Sequence, residues 1–270
     1  MIWTILLLIV AIALFLFGGK MLGNTGKGES LVQKCVNLLA IVLVAGCVAR
    51  LYTPYYLTSV NPMILQDMAN GLQEQQNAEK NKAIRKAVKS GAESMMADAP
   101  ILGNVDAKNT IFVWTDFSCP YCRRVHGELD RVLKERNDVR VVVKNFSIHG
   151  DLSDAPARAV IAAKIQDNSK AAALVEALMT KEYYTQDDMK DRAKLGEKVK
   201  ASVLKFAKEA GLDVAKLEAD MQGEVVTREL ANVRGMAQEF EINGTPFLII
   251  NEQAFPGAIP YSQIIDALKK

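Results

Sequence analysis

The chain changes period at residues 117–124, FSCPYCRR, and this constrains its fold more than any other stretch. Before it, TIFVWTD (110–116) is a run of β-branched and aromatic residues that reads as a buried strand. After it, CPYCRRVHGELDRVLKER (119–136) places Val125, Leu129, Val132 and Leu133 on one face of a helix. VRVVVKNF (139–146) is a second apolar strand. Strand, helix and strand within about 36 residues form a βαβ unit with parallel strands, the mark of an α/β domain. Both cysteines fall at the joint between the first strand and the helix.

That joint suits thiol chemistry. A thiol exchanges as its thiolate, and a helix starting at Cys119 sets that sulfur beside unpaired amides and the positive end of the helix dipole. Pro120 fits the first helical position, where its missing N–H has no partner to lose. Cys122, one turn further in, is close enough to close a disulfide and too buried to attack another molecule. Cys119 therefore reads as the nucleophile and Cys122 as the resolving thiol. No cofactor beyond this redox-active pair is called for. Zinc is disfavoured, because a structural site wants four ligands and the chain holds no second cysteine pair at such spacing. Of the two histidines, His126 lies about 10 Å along the helix from Cys119 and reads as a surface or half-buried helix residue, and His149 as loop. A soft ion such as Cu(I), held by the cysteines with methionine help, is the competing non-enzymatic reading; several of the ten methionines sit at core spacing.

Apolar content is concentrated at the start. Residues 2–17 carry no charge, and 31–52 are apolar between Lys34 and Arg50 apart from Asn37. The pattern predicts transmembrane helices at 1–19 and 35–52, joined by a cytoplasmic loop at 20–34 whose lysines, Lys20, Lys27 and Lys34, outnumber Glu29. The first segment lacks a basic leader and a small-residue cleavage site, so it reads as a retained anchor in the inner membrane, with the C-terminal domain outside the cytoplasm. Cys35 and Cys47, about 18 Å apart on a helix, read as apolar fillers that cannot bridge each other. Residues 53–98 read as a helical linker, with Leu65, Met68 and Leu72 forming either a short seam for a homo-oligomer or one face of a solvated spacer. The net charge of +2 is small and evenly spread, which gives no reason to expect nucleic acid as a partner.

Around the start of 99–270, residues 97–110 (ADAPILGNVDAKNT) read as loop, and 151–241 as several helices inserted into the α/β domain. Ser153 reads as a helix cap, while Gly211 and Asp213 mark a stop and a new start. The sheet returns at INGTPFLII (242–250). There Pro246 either holds a cis bond, leaving the backbone of Thr245 open to an extended substrate chain, or in trans simply begins an edge strand.

Taken together, LGNVDAKNTIFVWTDFSCPYC, DAPARAVIAAK, and GTPFLIIN followed by PGAIPYSQIIDAL resemble the DsbA-like branch of the thioredoxin superfamily over about residues 100–270. The resemblance implies a thioredoxin-like α/β fold with a helical insertion, here preceded by the two transmembrane helices and the helical stalk. It implies Cys119 as nucleophile, Cys122 as resolving cysteine and Pro246 as cis-proline, with Thr245, Pro120, Tyr121 and Asp116 supporting the site. CPYC with threonine before the proline is more similar to the isomerase/reductase members than to the monomeric oxidases. The expected partners are exported cysteine-containing proteins and a membrane redox partner. Glutaredoxins share CPYC but lack so large an insertion. Many relatives place a buried acid six residues before the nucleophile; here that residue is Val113, which leaves water or Asp116 to move the proton of Cys122.

Overall fold

The computed structural model describes residues 38–39, 41–46, 48–50, 52–53 and 62–269. Among these residues no helix is long and apolar enough to cross a membrane. This corrects the expectation of two transmembrane helices ahead of the domain. Helix is described at 38–39, 41–46, 48–50 and 52–53. The expected span at 1–19 and the loop 20–34 lie outside the described residues, as do Cys35 and Cys47.

The chain divides into compact units at 1–76 and 77–270. Helix α1 (Pro62–Met96) begins in the first, where Leu65, Met68 and Leu72 are exposed. In the second, β1 (Ile101–Gly103) is followed by β2 (Asn109–Thr115), α2 (Pro120–Glu135) and β3 (Val139–Asn145). The inserted helices are α3 (Asp154–Gln166), α4 (Asn168–Thr180), α5 (Arg192–Glu209), α6 (Val214–Met221) and α7 (Glu224–Glu239); β4 (Phe247–Ile250), β5 (Gln253–Pro256) and α8 (Tyr261–Leu268) close the fold.

The five strands lie in the order β1-β3-β2-β4-β5, with β2 and β3 parallel and every other pair antiparallel. β1 falls in a stretch that reads as loop from the sequence. It is three residues long and is held as an edge strand against β3, which a Gly- and Asn-rich string does not announce.

Because strand side chains alternate, the central strands feed two cores. Ile111, Val113, Val141 and Val143 face α2 and the inserted helices, together with Leu248 and Ile250. Phe112, Trp114, Val142, Phe247 and Ile249 face α7 and the end of α1, where Ile84 and Met95 are buried. Helix α2 starts abruptly because Pro120 occupies its first turn, and it buries Cys122, Val125, His126, Leu129 and Val132. Gly211 takes a positive φ of 78° after α5, and Asp213 caps α6 by accepting from the Lys216 N–H, so the helix stop and start read from sequence are both built.

Candidate active site

β2 ends at Thr115, and the next four residues turn the chain into α2. The turn is drawn by the Cys119 N–H donating to the Asp116 carbonyl at 3.1 Å. Cys119 is the residue before the first turn of α2, in extended backbone, and its side chain caps nothing. Its carbonyl instead accepts the first helical bonds, from the amides of Cys122 (3.1 Å) and Arg123 (3.2 Å). Cys119 thus sits at the N-terminus of a helix, the positive end of its dipole. Its thiol donates to the Thr245 carbonyl at 3.5 Å. The Thr245–Pro246 bond is cis, so of the two forms the sequence left open this is the one adopted.

The two cysteines are unbridged thiols. Cys119 is 5% exposed and Cys122 is fully covered. Burial pushes the Cys122 thiol up to about 12, and the neighbouring Cys119 sulfur adds to the rise. The hydroxyls of Thr115 and Thr245 and the Asp116 amide, whose N–H lies 3.5 Å from Cys122 Sγ, pull the other way without prevailing. Thr245 Oγ1 is buried and makes no hydrogen bond of ordinary geometry to any described residue. The same is true of both side-chain polar atoms of Asn145, the partner of Thr115 in the β2–β3 register. Pro120 and Tyr121 are exposed on the outer side of the helix start.

Asp116 is placed for a different task from proton transfer. It is buried, and its carboxylate accepts from the Ser118 N–H (2.9 Å) and hydroxyl (2.7 Å), the Ser153 hydroxyl (2.7 Å), the Ile148 N–H (2.8 Å) and His149 Nδ1 (2.8 Å). Burial alone would raise its pKa; these donors outweigh it and hold the carboxyl below the ordinary carboxylate value. An ionised group with its lone pairs so engaged is an anchor, tying the loop before Cys119 to the segment after β3. Three readings from sequence change accordingly. Ser153 precedes α3 but its hydroxyl serves Asp116 and caps no helix. His149 lies in a loop, as expected, yet its ring is part of the anchor. His126 is buried, its side chain 9% exposed, with Nε2 2.7 Å from the Glu176 carboxylate on α4. Residues 32 to 50 positions apart make these contacts, and no local signal joins them.

Arg123 fastens the other flank, donating to the carbonyls of Phe117 (3.2 Å) and Lys181 (3.1 Å) and lying over the Tyr183 ring. Tyr183 in turn donates to the Leu152 carbonyl at 3.0 Å. The helix start is therefore held from both sides while the sulfur at its tip bonds only the Thr245 carbonyl among the described residues.

Comparison with known proteins agrees with this geometry. A thioredoxin-like oxidoreductase from Silicibacter pomeroyi DSS-3 superposes with a TM-score of 0.57 at 32% identity, covering 66% of this chain and 96% of that one. The Na(+)/H(+) antiporter NhaA 1 of Mycolicibacterium gilvum is 29% identical over 174 residues, 63% of this chain. The chain spans about a quarter of that relative, 26% of its length. Disulfide bond formation protein D of Bacillus subtilis is 23% identical over 175 residues, which are 63% of this chain and 76% of that protein. The sequence model of the thioredoxin family matches residues 95–270. Since that match spans most of the chain and takes in the cysteine pair as well as the cis Thr245–Pro246 bond, the chain belongs to the thioredoxin family.

Proposed function

We propose that the domain is a thiol-disulfide oxidoreductase that exchanges disulfides with exported, cysteine-containing proteins through a mixed disulfide at Cys119. The observation that carries this reading is the contrast between two thiols three residues apart: one at a helix tip beside the Thr245 carbonyl, the other sealed beneath it with its thiol pushed up to about 12. In the reductive direction, the Cys119 thiolate attacks a client disulfide, one client sulfur leaves, and Cys122 then attacks Cys119 to release the second. The backbone at Thr245 would pair with the extended client chain, with Tyr121 and Pro120 beside it.

Isomerase or reductase action is the favoured direction, on the likeness of CPYC and of threonine before the cis-proline to that branch; net dithiol oxidation is the second reading. Work on exported proteins suits a compartment where disulfides persist, so we place the domain outside the cytoplasm, served by a dedicated redox partner. The exposed Leu65, Met68 and Leu72 suit a seam between copies of the chain.

Scrambled and reduced forms of one substrate protein separate the directions. Recovery of scrambled substrate without net oxidation supports the favoured one, and rapid oxidation of reduced substrate supports the other. Cys119→Ser abolishes both, and Cys122→Ala accumulates mixed disulfides; activity surviving Cys119→Ser would overturn the proposal.

A further inference from the structure

The exchange proposed above needs a proton acceptor that the site, as described so far, does not provide. Cys122 must lose its proton to attack Cys119, yet it is fully covered. Six residues before Cys119 stands Val113, which cannot accept a proton. The Asp116 carboxylate is engaged by its six donors, the His149 backbone N–H included, and only the backbone N–H of that residue reaches the sulfur.

Against Cys122 lies a small space of about 10 Å³, at the lower bound of what holds one water. Val113 and Thr115 of β2 form part of its wall, and Cys122 and His126 of α2 another part. His126 is four residues after Cys122, one helical turn down the same face. The polar residues lining the space are Cys122, Thr115 and His126; β1 and β3 contribute only apolar residues, Leu102, Val141 and Val143. From α4 the charged group on His126 is Glu176, 2.7 Å from Nε2 and 53% exposed, with Lys134 of α2 acting on that carboxylate from the surface. The Glu176 carboxylate accepts a hydrogen bond from Nε2–H, which makes Nδ1 the acceptor nitrogen of the neutral ring.

We propose that His126 is the proton relay of Cys122: through one water in this space it takes the Cys122 proton as the thiolate forms, and it passes a proton from Nε2 by way of Glu176 to solvent. The inference rests on the thiol-disulfide exchange proposed above. In the reductive direction the Cys122 thiolate attacks Cys119 Sγ, the Cys119–client S–S bond breaks, the Cys119–Cys122 S–S bond forms, and the client sulfur leaves as a thiolate that takes a proton from solvent. Two electrons pass from the cysteine pair to the client. Run in reverse, Cys122 is the leaving group and the same path returns its proton. The relay therefore serves either direction, which explains why a chain with valine at position 113 needs no acid there. His126 acts through a water and is a positioning and relay residue.

The test uses the full chain. Reduced protein is mixed with oxidised glutathione, and two rates are followed by rapid quenching between pH 5 and 10: capture of glutathione on Cys119, and its expulsion by Cys122. With wild-type protein, expulsion rises with pH and levels off. His126→Gln captures glutathione at the wild-type rate but expels it about 100-fold more slowly at pH 7, the scale of general-base assistance, and without a plateau, gaining about tenfold per pH unit as hydroxide takes over. Glu176→Gln, at a half-exposed position that leaves the core intact, expels more slowly than wild-type and moves the bend to lower pH, since the imidazolium loses its counter-charge. Expulsion at the wild-type rate with an unchanged pH profile in His126→Gln overturns the relay. Should that variant not fold, an unmoved bend in Glu176→Gln overturns it instead. Failure of wild-type protein to capture glutathione at Cys119 defeats the exchange reading itself, a result distinct from either.

Discussion

The central sheet buries polar groups on both faces, and the two faces treat them in opposite ways. On the side of α7 and α1, Lys144 of β3 is wholly buried; it donates to Glu229 at 2.6 Å and to the Met95 carbonyl at 2.7 Å. Burial lowers the lysine and raises the glutamate, and each partner works against that shift in the other. On the side of α2, the Cys122 thiol, the Thr245 hydroxyl and the Asn145 amide are buried without comparable partners. The closed face is a strut, because a buried charge without its counter-ion is expensive. The other face leaves its polar groups loosely satisfied around a sulfur, where low stabilisation of the resting thiol pair is compatible with reaction. The fold thus concentrates its tolerance for unmet polar groups on the reactive side of the sheet.

Three substitutions break or sharpen this contrast, in order of decreasing effect. Glu229→Ala strands the Lys144 charge in the core and lowers unfolding free energy by about 3–5 kcal/mol in urea titration, while the pair Lys144→Met with Glu229→Leu recovers most of that loss. A cost under about 1 kcal/mol for Glu229→Ala would remove the strut. Asp116→Asn costs on the order of 2 kcal/mol at pH 7, because the carboxylate accepts bonds worth more than an amide's. Its pKa is lowered in the folded state, so the advantage of the wild-type carboxylate is present above the unfolded value near 4 and is lost as pH falls through the folded one. Wild-type and variant melting curves should therefore converge below about pH 4; a constant gap would show that the anchor does not depend on charge. Asn145→Leu has the opposite sign and the smallest size, raising stability by about 1 kcal/mol, because it removes two buried atoms that bond nothing among the described residues. A loss there would mean that the loosely satisfied face is better paired than it looks.

Much of the frame was legible in advance. The β-branched, aromatic and apolar runs placed β2 and β3, the apolar helical face placed α2, Gly211 and Asp213 marked a helix stop and start, and the CPYC stretch put both cysteines where the strand meets the helix. β1 was not legible, because a three-residue edge strand takes its identity from pairing with β3 and has no period of its own. At the site, Ser153 looked like a helix cap since serine before an acidic, proline-containing turn usually is one; its hydroxyl went to Asp116, which competed for it across 37 residues. His126 looked half-exposed from its place in a charged helix, and became a buried ring because α4 closes over that face. The amphipathic pattern says which face turns inward, but the depth of burial depends on what packs there.

By itself the sequence determined where backbone conformations change and where two thiols meet a helix start, because steric preference, proline geometry and hydrophobic period act over a few neighbouring residues. Tertiary structure alone decided that Asp116 is an anchor, that His126 and Cys122 line one small space, and that Lys144 finds Glu229. Those outcomes turn on desolvation and on hydrogen bonds between distant segments, quantities that exist only once the segments have been packed together.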